Sequence, residues 1–237
     1  MKIFALDSSS NSASVALGEN GKIIGEFYAD TGFTHSRTLM PMINSLYESA
    51  GLSVSDMDLF VCCTGPGSFT GVRIGVSTVK AMALSTDKPC IGMSSLETMA
   101  YNGLICDDCI IVSSLDARRE QLYNAVFYSK DGSIKRLCED RVISCKDLIN
   151  ELKEKYFSKR IIMVGNGSDL CYNVWDGCDL NLSVAPANLK YCSASGMILN
   201  VEKNFKNLST TSANLLNPTY LRMSQAQREL CKRQNKV

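Results

Sequence analysis

The spacing of apolar and polar residues divides the chain into strands and helices. Lys2–Asp7 is a mostly apolar run, residues 12–17 alternate small and apolar side chains, and Lys22–Ala29 continues the pattern. The chain therefore opens as a β-meander, with Gly18-Glu19-Asn20-Gly21 as the hairpin turn between its second and third strands. From residue 36 to residue 50 the period lengthens. Leu39, Met42, Ile43, Leu46 and Ala50 fall on one helical face, and Gly51 suits the C-terminal cap. Met40, Ile43 and Tyr47 add a second apolar stripe. A helix apolar over so wide an arc is either deeply buried or covered by a partner.

Residues 58–64 read as a buried strand that runs directly into Gly65-Pro66-Gly67-Ser68-Phe69-Thr70-Gly71 and a helix ending near residue 85. Asp87-Lys88-Pro89 breaks the chain before a short strand at 90–93, and Ser94 or Ser95 caps a short helix reaching Tyr101. Asn102-Gly103 and Asp107-Asp108 mark the boundary between an N-terminal lobe (1–103) and a C-terminal lobe (104–223), followed by a polar tail (224–237). The second half repeats the logic. Strands are expected at 109–114 and 121–128, an Asp131-Gly132 hairpin leads to another, and a helix (147–155) and a strand (161–164) follow. Gly165-Asn166-Gly167-Ser168 is a loop into a helix, residues 193–202 form a further helix, and residues 218–222 close the fold. Strands followed by alternating helix and strand, occurring twice, predict two related α/β lobes with mixed sheets.

Composition narrows the function. Lys and Arg total 25 against 24 Asp and Glu, a net charge of +1. Proteins that hold nucleic acid alone usually carry a basic excess, because phosphate neutralisation supplies most of the affinity. If RNA is involved, another subunit holds most of it. The early apolar run stops at Asp7, and no run approaches the ~20 residues needed to span a bilayer. The 11 cysteines are therefore read as reduced thiols of a cytoplasmic protein. Cys62-Cys63 should point to opposite faces of a strand, and Cys106 with Cys109 forms a lone Cys-x-x-Cys pair. With no second pair at zinc-site spacing, no metal is expected. His35, the single histidine, precedes the wide-faced helix and is read as a capping or packing residue.

Three segments carry candidate chemistry. A strand feeding Gly65–Gly71 and then a helix N-terminus is a phosphate-cradling arrangement, since free N–H groups and the helix dipole point at an anion. It has neither a Walker lysine nor a Gly-x-Gly-x-x-Gly pattern. The competing reading is packing: Gly67, Gly71 and Gly75 recur at four-residue steps and make a flat face for another backbone. Asp7 with Ser8 to Ser10 looks like a first phosphate loop but lacks glycine, so the serines are read rather as making the turn. Asp116-Ala117-Arg118-Arg119-Glu120 joins two strands of the second lobe, either facing a cleft or exposed. Asp7, Ser8, Gly65, Gly67 and Asp116 together would line a weak nucleotide cleft.

Taken together, these segments resemble one family. Asp7-Ser8-Ser9 after a strand, His35-Ser36 before Leu39-x-Pro41-Met42-Ile43, Gly65 through Gly75, Ser94-Ser95-Leu96-Glu97, Asp116-Ala117-Arg118-Arg119 and Tyr220-Leu221-Arg222 look like the TsaB (YeaZ-like) family. The resemblance implies a two-lobed actin/Hsp70/sugar-kinase-like (ASKHA) fold. It also implies a part in making threonylcarbamoyladenosine at position 37 of tRNAs reading ANN codons. There a TsaC-type enzyme makes threonylcarbamoyl-AMP, a TsaD-like transferase acts on tRNA, and a TsaE-like ATPase assists. A TsaB-like chain pairs with the transferase, has no cofactor, reaches tRNA mainly through the complex, and forms a homodimer when alone. The resemblance further implies that the two helices form the partner interface, through Leu39, Met42, Ile43, Leu46, Gly71, Gly75, Val79 and Met82. Transferase paralogues carry a His-x-x-x-His metal pair at positions corresponding here to Ser95 and Met99, and neither residue is an imidazole. The chain is thus expected to be no enzyme. The rival expectation is a small actin-fold kinase or ATPase using Asp7, the Gly65–Gly71 loop and Asp116; a third is a self-associating regulator. Arg222 and the basic tail (Arg228, Lys232, Arg233, Lys236) are candidate tRNA contacts.

Overall fold

The computed structural model describes residues 1–175 and 179–222. The first half builds a five-stranded sheet in the order β3-β2-β1-β4-β5, from β1 (Lys2–Asp7), β2 (Ala13–Glu19), β3 (Lys22–Ala29), β4 (Leu59–Gly65) and β5 (Cys90–Ser94). The meander strands pair antiparallel, while β4 lies parallel to both β1 and β5. Parallel pairing needs crossovers, and these are α1 (His35–Ala50) and α2 (Phe69–Thr86), with α3 (Ser95–Ala100) following β5. The second half repeats the mixed sheet. Its order is β11-β10-β6-β7-β8, from β6 (Cys109–Asp116), β7 (Gln121–Lys130), β8 (Ser133–Arg136), β10 (Arg160–Val164) and β11 (Leu182–Val184). The short β9 (Arg141–Ser144) pairs with the far end of β7. The helices are α4 (Cys145–Tyr156), α5 (Gly167–Trp175) and α6 (Ala194–Asn204).

Strand alternation sorts the apolar residues into three layers. On the outer face of the first sheet, Phe4, Leu6, Val15, Leu17, Phe60 and Cys62 pack against α1 and α2. On its inner face Ile3, Ala5, Val61, Cys63 and Ile91 meet α3 and α6, and α3 also packs on β6 and β7 of the second sheet, in the same core as Ile111, Ala125 and Phe127. The outer face of the second sheet, including Ile110, Val112 and Val126, is covered by α4 and by Cys171 of α5. The central layer is shared, so α6, from the C-terminal third of the chain, completes the core of the first sheet. Glu26 of β3 holds its start: Oε1 accepts Ser14 Oγ at 2.8 Å, Ser193 Oγ at 2.7 Å and Ser195 N at 3.2 Å, and Oε2 accepts Ser195 Oγ at 2.7 Å.

The reading of α1 as an exposed apolar face needs correction. Leu39, Ile43, Leu46 and Tyr47 are buried in the chain's own core, against β1 and β2 among others. Of the two stripes, Met40 and the partly buried Met42 and Ala50 are what remains near the surface. On α2, Val79 and Met82 are likewise core residues. The opposite faces of Cys62 and Cys63 are as expected, one in the outer layer and one in the inner. Strands β9 and β11 were not expected; four and three residues are too short to display a period.

Candidate functional site

The Gly65–Gly75 segment is folded around the β1–β2 loop. A Cβ at Gly67 would stand 2.2 Å from the Ser9 carbonyl oxygen, one at Gly71 2.2 Å from that of Ser8, and one at Gly75 2.3 Å from Ser8 Oγ. These glycines are the means by which α2 lies against that loop. Hydrogen bonds complete the junction. Ser68 N donates to Ser9 O at 2.7 Å, Ser8 Oγ to Gly71 O at 2.9 Å, and Ser68 Oγ caps α2 by accepting Gly71 N at 3.2 Å. Two N–H groups of the supposed phosphate cradle are thus taken by the protein itself. His35 Nε2 lies 2.8 Å from Ser10 O, tying the start of α1 to the same loop.

Above this junction lies an open cleft of about 370 Å³. One side is Ser9-Ser10-Asn11 and Pro66-Gly67-Ser68-Phe69; the other is Asp116-Ala117-Arg118 and Asn166. Residues 219–222 run along it as a strap. Thr219 N donates to Thr64 O at 2.7 Å, and Arg222 Nη1 donates to Ala117 O at 2.6 Å. Tyr220 stacks on Phe69 with ring centroids 4.6 Å apart, and Arg73 lies over Phe69 and donates from Nε to Tyr220 Oη at 2.7 Å.

Of the five residues expected in a nucleotide cleft, Gly67 and Asp116 line it. Asp7 and Ser8 are buried beneath, so neither side chain reaches the opening; Gly65 sits under the strap, where a Cβ would meet Thr219 O at 2.7 Å. Asp116 is engaged in its own turn, accepting Arg118 N at 2.6 Å. Arg222 braces the β6–β7 turn from the strap. The tail residues Arg228, Lys232, Arg233 and Lys236 lie outside the described residues.

Burial raises the Asp7 carboxyl above the usual range, against the lowering effect of its neighbours Ser9 and Cys63. The Cys63 and Cys192 thiols are also raised by burial. Ser95 and Met99 are both fully buried in the central layer. A hydroxyl and a thioether enclosed among apolar side chains do not fit an iron or zinc pair.

The interface residues expected from the sequence are thus brought together chiefly inside the molecule. The outward residues of α1 and α2 are others: Arg37, Met40, Asn44 and Glu48 on α1, and Thr70, Arg73, Ser77, Ala81 and Leu84 on α2. An apolar stripe marks the core before it marks a surface.

Architecture and cleft define an α/β protein of two mixed sheets with a shared helical layer between them. The YeaZ structure from Pseudomonas aeruginosa superposes with a TM-score of 0.76 at 22% identity, covering 93% of this chain and 99% of that one. Component A of the (R)-2-hydroxyglutaryl-CoA dehydratase of Acidaminococcus fermentans shares the fold more distantly, with a TM-score of 0.50 at 11% identity over 86% of this chain and 98% of that one. The family model described as "TsaD: tRNA N6-adenosine threonylcarbamoyltransferase" matches residues 30–230. The tRNA threonylcarbamoyladenosine biosynthesis protein TsaB of Bacillus subtilis is 35% identical over 170 residues, 72% of this chain and 73% of that protein. Its Escherichia coli counterpart is 27% identical over 97% of this chain and 98% of its own length. The chain belongs to the TsaB family, within the wider group that the transferase model describes. Among the described residues no helix is long and apolar enough to cross a membrane.

Proposed function

We propose that this chain is a non-catalytic cytoplasmic subunit of tRNA threonylcarbamoyladenosine synthesis, which binds a TsaD-like transferase and holds it in its active form. One observation carries the reading. The chain matches the transferase family model over residues 30–230, while Ser95 and Met99, the residues that the resemblance sets against the transferase's His-x-x-x-His pair, are no imidazoles and are buried. Relatives that share this fold and are named for the same modification support it. In this reading the outer faces of α1 and α2 receive the transferase. Two of the eight residues first assigned to the interface keep a part in it: Met42 by its partial exposure, and Gly71 indirectly, by setting the position of α2. The same faces form a homodimer when no transferase is present, and tRNA and a TsaE-like ATPase join through the complex.

The test is reconstitution. TsaC-, TsaD- and TsaE-type proteins are mixed with tRNA, threonine, bicarbonate and ATP, with and without this chain, and modified adenosine is counted by mass spectrometry. The disruptive substitution is Ala81→Arg, on the outward face of α2. Gly75→Arg would be uninformative, because its side chain would collide with Ser8 and Leu6 inside the molecule. Ala81→Arg is expected to leave the chain's circular-dichroism spectrum unchanged, weaken transferase binding by about tenfold or more (~1.4 kcal/mol), and lower modification with it. Equal modification without the chain overturns the proposal. A second reading, a small actin-fold ATP-binding enzyme, draws on the cleft beside Asp116; it predicts nucleotide turnover by the isolated chain.

A further inference from the structure

Asp7 at the end of β1, Cys63 on β4 and Cys192 just before α6 come from three distant parts of the chain and meet in the central layer. All three are buried, and one carboxylate oxygen and the two sulfur atoms lie within 4.8 Å of one another. Their hydrogen bonding is incomplete. Asp7 Oδ1 accepts Ser9 N at 3.2 Å, whereas Oδ2 has no partner although it is fully enclosed. An enclosed carboxyl oxygen without a partner is costly and calls for an explanation. The thiols make weak contacts of their own: Cys63 Sγ to Thr98 Oγ1 at 3.4 Å and to Met197 Sδ at 3.7 Å, and Cys192 Sγ to Ser95 O at 3.3 Å and to Ser9 Oγ at 3.9 Å.

We propose that Asp7, Cys63 and Cys192 form a site for a thiophilic divalent cation of the zinc class. Zinc takes cysteine sulfur at ~2.3 Å and carboxylate oxygen at ~2.1 Å in a tetrahedron. Two sulfur ligands then stand roughly 3.8 Å apart, which the present grouping of the ligand atoms within 4.8 Å allows. The fourth position falls to Ser9, whose Oγ is 3.9 Å from Cys192 Sγ, or to a water. Ser9 also lines the cleft, which gives the cation its way in. On binding, the cation forms bonds to the two sulfurs and the carboxylate, and the displaced protons leave to solvent without any redox change. Because ligands must lose protons, affinity falls as the pH is lowered. The bound cation would be a structural clamp, joining β1 and β4 to the start of α6.

The test uses the full chain, reduced and anaerobic. Cobalt(II) is the probe, since thiolate coordination gives it charge-transfer absorption and tetrahedral geometry strong visible bands. One equivalent is expected to bind, with the signal lost in Cys63→Ser and Cys192→Ser and reduced at least about tenfold in affinity in Asp7→Asn. Cys109→Ser, which removes one thiol of the Cys-x-x-Cys pair, is expected to keep it. X-ray absorption at the zinc edge of the unaltered protein needs no variant, and should count two sulfur neighbours plus a light-atom shell. Absence of binding, a count of four sulfurs, or a signal that disappears with Cys109→Ser but survives Cys192→Ser overturns the proposal.

Discussion

A methyl group on Gly71 would stand 2.2 Å from the Ser8 carbonyl oxygen and 3.1 Å from His35 Cδ2. The first neighbour is backbone, so relief requires α2 and the β1–β2 loop to move apart. Forced overpacking of this kind costs typically 1–3 kcal/mol, and here about 3 kcal/mol is expected because no flexible side chain can yield. Gly71→Ala should therefore lower the urea midpoint with little change in slope, measured by circular dichroism. The four-residue glycine spacing was plain in the sequence, which left packing against a backbone and a phosphate cradle as competing readings. The identity of that backbone was not, because Ser8 and Ser9 lie some sixty residues earlier and nothing local records a contact of that range. The same holds for Asp7, Cys63 and Cys192, which reading along the chain leaves as three unrelated residues.

Helices and strands show a different division between legible and hidden. Elements of more than about seven residues announced themselves by period, whereas β9 and β11 depended on pairing with longer neighbours. For α1, two stripes of apolar residues could not say which face turned inward; packing of Leu39, Ile43 and Leu46 on the sheet decided it. Ile43→Ala should accordingly cost about 2–5 kcal/mol of stability, whether or not a partner is present. The short β9 is fastened to α4 by Arg141, whose Nη2 lies 2.8 Å from Glu151 Oε2, while Lys155 reaches Glu151 Oε1 at 3.2 Å. Burial pushes the Glu151 carboxyl upward, but these two cations outweigh it and hold it below its ordinary value of 4.5. The contribution is therefore present above that value and lost as the pH falls through the lower folded one. Glu151→Gln should remove this part of the acid limb, so that variant and parent converge in melting temperature as the pH is lowered below 4.5.

Over the whole molecule, the central layer makes the two sheets interdependent. Ile3, Val61 and Ile91 of the first sheet share a continuous core with Ile111 and Phe127 of the second, through α3 and α6. Calorimetry should therefore show a single cooperative transition, with calorimetric and van't Hoff enthalpies in agreement. A fragment of residues 1–103 should show no cooperative melting, since it would expose the face that α6 covers; an independently melting fragment would count against this. Two mixed sheets were evident from the order of elements, because each half runs strands first and then alternates with helices. That α6 covers the first sheet was not, since the period of α6 reveals an apolar face but not which sheet it meets.

The position of α6 also has a meaning in time. On a ribosome the first sheet has all its strands once Ser94 has emerged, but its inner face stays bare until Asn204 follows, roughly 110 residues later. At ordinary elongation rates that is about 5–20 s during which Ile3, Ala5, Val61 and Ile91 have no permanent cover. Newly made chains should thus lean on chaperones that shield apolar strands, and a premature stop anywhere before α6 should yield an insoluble product rather than a shortened working one.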